Sequence, residues 1–92
     1  MGNIKGKSAK AMSLDISEGY VIVNPIFLKP LDHEDLKEVY HQLDKLGKEI
    51  RAERFPFSDT LAIRKRNMRL QRLHSASMII RNYARERKII LV

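Results

Sequence analysis

Cysteine is absent from this chain, and so is tryptophan. Without a thiol there is no disulfide framework, no thiolate nucleophile and no cysteine-based zinc site, which is compatible with a reducing compartment. No apolar run is long enough to span a bilayer. The longest, around Tyr20–Leu28, is interrupted by Asn24 and Pro25. Lysines near the N-terminus are not backed by a continuous apolar segment, so no secretory leader is expected. A cytoplasmic protein is the expectation.

Arginine is missing from the whole of residues 1–50, and all nine arginines fall between Arg51 and Arg87. The first fifty residues carry seven lysines against eight carboxylates, whereas residues 51–92 carry eleven Lys and Arg against three carboxylates. The second part therefore holds the entire net charge of +7. Guanidinium is planar, permanently charged and fork-shaped, matching phosphate and carboxylate. The expected partner is anionic: a nucleic acid or an acidic protein.

At 92 residues the chain has room for one domain. Residues 1–13 are small, polar and basic with no apolar period, so they read as a flexible basic arm, leaving 14–92 as the single domain. Tyr20–Leu28 is rich in β-branched and aromatic residues and reads as a strand, with Pro25 confining it to an edge or bulge. A helix follows. Asp32 is its N-cap, Leu31 and Leu36 are staple residues, and Leu36, Val39, Tyr40, Leu43, Leu46 and Ile50 form one apolar stripe ending before Pro56. Asp44 and Lys48 stand in the favourable i,i+4 order. A second helix opens at Ser58 or Asp59 and reaches toward Lys88, with a break allowed near Leu73–Ser77. Its seam is Ile63, Leu70, Leu73, Ser77, Ile80 and Tyr83 or Ala84, interrupted by Arg66. Ile89–Val92 reads as a short buried strand. The expected fold class is α+β in β-α-α-β order, a long antiparallel helical hairpin with short N- and C-terminal strands. Two strands make a marginal sheet, so a homodimer that completes it is expected.

The densest chemistry lies between Arg64 and Arg72. Arg64, Lys65, Arg66, Arg69 and Arg72 are expected to contact phosphates, and Asn67 and Gln71 to make further contacts to phosphates or base edges. A second set, Arg81, Arg85, Arg87 and Lys88, sits where cations favour the negative end of a helix dipole. Phe55 and Phe57 around Pro56 read as rings closing the end of the hairpin.

Catalysis finds no support. His33, His41 and His74 are scattered, without metal-ligand spacing, and Ser75 and Ser77 lack a nucleophile's setting. The glycines at 2 and 6 are separated by three residues where a phosphate-binding loop needs four, and Gly6 stands where N-acylation needs Ser or Thr. No enzyme, cofactor, metal or membrane association is expected. The reading is a small nucleic-acid-binding protein, regulatory or architectural. The alternative is a non-enzymatic adaptor or assembly protein that binds an acidic partner.

Overall fold

A computed structural model describes residues 6–54 and 58–91. The described residues form four helices: α1 (Ala9–Glu18), α2 (Pro25–Leu28), α3 (His33–Ala52) and α4 (Thr60–Glu86). There is no sheet among the described residues, so the α+β expectation is overturned: the fold is all-helical, and neither flanking strand forms.

The helix α1 begins inside the stretch read as an arm. Ser8 caps it by accepting from the Ala11 N–H at 3.2 Å. Its buried face is Ala9, Met12, Ser13, Ile16 and Ser17, a helical period in which two serines stand at core positions. Their hydroxyls are satisfied by their own helix, Ser13 donating to the Lys10 carbonyl and Ser17 to the Leu14 carbonyl, both at 2.7 Å. A small side chain with an internal partner lets a neighbouring helix approach without leaving a polar group unpaired. The helix closes at Gly19, whose φ is +85°. The Gly19 N–H bonds the Ile16 carbonyl at 3.2 Å and the Tyr20 N–H bonds the Asp15 carbonyl at 2.9 Å.

Where a strand was expected, residues 20–24 are irregular and Pro25 opens α2. Asn24 caps α2 by accepting from the Phe27 N–H at 2.8 Å, and proline at the first helical position needs no partner for the N–H it lacks. Val21 and Val23 turn inward while Tyr20 and Ile22 turn to solvent, so the alternation of an extended segment is present. The partner strand is not. Segment 89–91 runs without regular structure, with Ile89 and Leu91 half-buried and Ile90 exposed. With both strands gone, the sheet that argued for a homodimer is gone as well.

The helical hairpin forms as its pattern predicts. Asp32 caps α3 by accepting from the Asp35 N–H at 2.8 Å, and Leu31 and Leu36 both join the core. Leu36, Val39, Leu43 and Ile50 are fully buried, and Lys48 reaches Asp44 at 3.1 Å on the exposed side. α3 ends at Ala52. Pro56 and its flanking rings Phe55 and Phe57 lie outside the described residues. Asp59 caps α4 by accepting from the Ala62 N–H at 3.0 Å. α4 then runs unbroken through Leu73–Ser77 for 27 residues. At 1.5 Å per residue that is about 40 Å, close to the molecule's longest dimension of 44 Å. No described helix is long and apolar enough to cross a membrane.

The helices α1 and α3 both pack along α4 and against each other, and α2 closes on α4. The core gathers Met12, Ile16, Leu28, Leu36, Val39, Leu43, Ile50, Leu73, Ile80 and Tyr83. All fully buried residues of α4 lie between Leu73 and Ala84.

α4 ends in the same hydrogen-bond pattern as α1. The Lys88 N–H bonds the Arg85 carbonyl at 3.2 Å and the Ile89 N–H bonds the Ala84 carbonyl at 2.8 Å. The left-handed position is here a lysine, with φ +57°. The two caps predict opposite responses. Gly19→Ala puts a Cβ into the left-handed region and 3.2 Å from the Arg72 guanidinium, and should cost about 1–2 kcal/mol. Lys88→Gly should instead stabilise by about 0.5–1 kcal/mol. Urea denaturation of the two variants reads both signs.

Candidate functional site

α4 carries seven Lys and Arg (Arg64, Lys65, Arg66, Arg69, Arg72, Arg81 and Arg85) and a single carboxylate, Glu86. A helix shows these side chains to different neighbours, and the structure divides them. Arg64, Lys65, Asn67 and Gln71 are exposed, whereas Arg66, Arg69 and Arg72 are half-buried.

Arg72 and Arg69 serve the end of α1. Arg72 donates from Nη1 to the Ser17 carbonyl at 3.0 Å, and its guanidinium lies flat beside Gly19. The carbonyls at a helix C-terminus are left without intrahelical partners and carry the negative end of the dipole, so a guanidinium there is well placed. Arg69 stands 3.4 Å from a Glu18 carboxylate oxygen and 3.9 Å from one of Glu53. Lys65, Arg69 and Arg72, spaced to form one cationic row, thus face a cleft of about 610 Å³ that also holds Glu18 and Glu53. The acidic side chains that meet the arginines come from the ends of α1 and α3. Arg66 donates to the Asn67 side-chain carbonyl at 3.4 Å.

The opposite face of α4 is exposed, with His74, Met78 and Arg81 at its border with α3. Arg64, Asn67, Gln71, His74, Met78, Arg81 and Arg85 recur at intervals of three and four, so they form one stripe, and Ser75 and Asn82 flank it. All nine are exposed. Among the described residues no carboxylate lies within ion-pair distance of Arg64, Lys65, Arg81 or Arg85. Arg85 donates from Nη2 to the Asn82 side-chain carbonyl at 2.9 Å, which holds the guanidinium on the helix surface. The sequence reading assigned Arg81 and Arg85 to the helix dipole and missed their membership of this stripe. The signal was available in the spacing from Arg64 through Gln71 and Met78 to Arg85, seven residues at each step. Arg87 follows the last residue of α4, with its guanidinium 3.7 Å above the Tyr83 ring and 3.7 Å from a Glu86 carboxylate oxygen.

Among the described residues no three His, Asp or Glu side chains are grouped to hold a metal ion. His33, His41 and His74 are all exposed. Comparison with protein-family models, curated proteins and solved structures finds no match to this chain.

The division of the arginines predicts a division of stabilities. Arg72→Ala removes a charge-assisted bond to a helix-end carbonyl and should cost about 1–2 kcal/mol. Arg64→Ala should change stability by no more than about 0.5 kcal/mol. Chemical denaturation monitored by circular dichroism distinguishes them, and equal losses would show that Arg72 does not tie α1 down.

Proposed function

We propose that this is a non-enzymatic nucleic-acid-binding protein that applies the free face of α4 to the phosphate backbone. The observation that carries the reading is the exposed stripe from Arg64 to Arg85, in which cations stand at both ends, Asn67 and Gln71 lie between them and no carboxylate intervenes. Nucleic acid presents a dense row of charges, and a straight helix with a cation at each end can meet phosphates at two points along it. Arg64 and Arg85 are 21 residues apart, or about 31 Å along the helix. That length covers about nine base steps of a duplex strand.

Roles divide by position. Arg64 stands at one end of the stripe, with the exposed Lys65 beside it at the mouth of the acidic cleft, and Arg81 and Arg85 stand at the other end, so these four cations set position on the backbone. Asn67 and Gln71 lie between them with donors and acceptors for base edges or sugar hydroxyls. Arg66 adds charge beside Asn67. Arg69 and Arg72, expected from sequence to touch phosphate directly, contribute by fixing α1 and by their field. With no Phe, Tyr or Trp among the exposed residues of the stripe and His74 as its single aromatic ring, successive unpaired bases have no stacking platform.

The test is fluorescence anisotropy of labelled DNA and RNA across a salt series. Four neutralised phosphates should give a log K against log salt slope of about −3.6 on duplex and about −2.8 on single strands. A combined Arg64→Ala, Lys65→Ala, Arg81→Ala, Arg85→Ala variant should remain folded and lose most of that slope. Binding that persists with the same slope in this variant would take the stripe out of the mechanism.

A further inference from the structure

A groove of about 740 Å³ lies beside the last turns of α4. One wall is Tyr40 of α3, the second is α4 from Met78 to Arg85, and the third is segment 88–91. Its apolar surface comes from Met78, Ala84 and Ile89–Leu91, and its charged groups are Arg81, Arg85 and Lys88. Among the described residues no carboxylate lines it. Ile90 is 74% exposed on the third wall, beside the cations of the groove.

Lys88 makes the groove what it is. Its left-handed backbone reverses the chain so that Ile89–Leu91 forms the third wall. α1 makes the same reversal with glycine at the equivalent position, Gly19. A lysine there carries a conformational cost that glycine avoids. The cost has no return in folding, since the cap's hydrogen bonds are backbone bonds that glycine would make equally. What lysine adds is a third positive charge on the groove, opposite Arg81 and Arg85. Backbone outliers kept at a net cost are a mark of functional positions.

The geometry points to this groove as the docking site for an acidic amphipathic helix of another protein. Apolar side chains of that helix, at intervals of three and four, would cover Met78, Ile90 and Leu91, and its flanking carboxylates would meet Arg81, Arg85 and Lys88. Charge complementarity selects the occupant. A duplex has phosphates but nothing to cover Ile90, and a flat bilayer cannot enter a three-walled groove. This inference stands apart from nucleic-acid binding, although the two would share Arg81 and Arg85.

The test uses the full chain and three labelled helical peptides of about 18 residues, or five turns. The first has leucines at intervals of three and four on an otherwise acidic helix. The second keeps the leucines and replaces the carboxylates by lysines. The third keeps the carboxylates and replaces the leucines by serines. The first peptide should bind at least about tenfold tighter than either control, and Ile90→Asp should lose about tenfold. Arg81→Glu with Arg85→Glu should reverse the preference toward the lysine peptide. Lys88→Gly separates binding from folding: it should be more stable than the unmodified protein yet bind the acidic peptide about threefold more weakly. Equal affinity for all three peptides, or an affinity indifferent to these substitutions, would overturn the inference. So would sedimentation showing a dimer that Ile90→Asp dissociates, because the groove would then hold a second copy of this chain.

Discussion

The inner face of α4 is wider than one helix can cover, and the rest of the fold follows from that constraint. Leu70, Leu73 and Ser77 share a cleft with Tyr40, Leu43 and Gly47 of α3, while Arg72, Ala76 and Ile79 share another with Ile16, Gly19 and Val21. Two adjacent seams on one helix require two covering helices. α3 is long enough to cover the first. α1 covers the second, with Ser13 and Ser17 at its interior positions, and the irregular segment after it supplies Val21 and Val23 to fill the remainder. Only with both in place does α4 bury Leu73, Ala76, Ile80, Tyr83 and Ala84 together.

The hairpin was legible in the sequence because its signals are strong and local. Asp32 and Asp59 both cap as aspartate should, and the stripe from Leu36 to Ile50 keeps its period over four turns. The α3-facing seam of α4 was legible for the same reason. The second seam was hidden because it consists of Arg72, Ala76 and Ile79, of which only the last reads as core. α1 was hidden likewise: serine at two of five buried positions dilutes an apolar period below notice. The segment from Tyr20 to Leu28 misled for a different reason. β-branched residues favour extended backbone, but a strand also needs a neighbour, and Asn24 followed by Pro25 is equally a helix start.

The candidate site was legible as a composition and not as a surface. Nine residues from Arg64 to Arg72 wrap two and a half turns of helix, so they cannot all face one partner. Arg69 and Arg72 turn toward α1, and Arg64, Asn67 and Gln71 turn away. Which side is which depends on where α1 docks, and the α1 pattern was the one the sequence concealed. Arg85 stands in the last turn of α4, where the sequence reading put it, and with Arg81 it also continues the exposed row.

Burial along α4 is graded. From Thr60 to Arg72 the helix has no fully buried residue, and Leu61 and Met68 stand in solvent, whereas Leu73–Ala84 contains the whole of its buried set. Local opening requires breaking the contacts of the segment that opens, so the two parts of one continuous helix have different opening free energies. The half held by the core is expected to exchange its amide protons most slowly. The half that carries Arg64, Lys65 and Arg66 is held by backbone bonds, the Asp59 cap, the ion pairs of Arg69 and the partly buried Leu70, and is expected to open before the other. The most positively charged turns of α4 are therefore its least buried ones: a cantilever whose fixed end is the core and whose free end bears the charge.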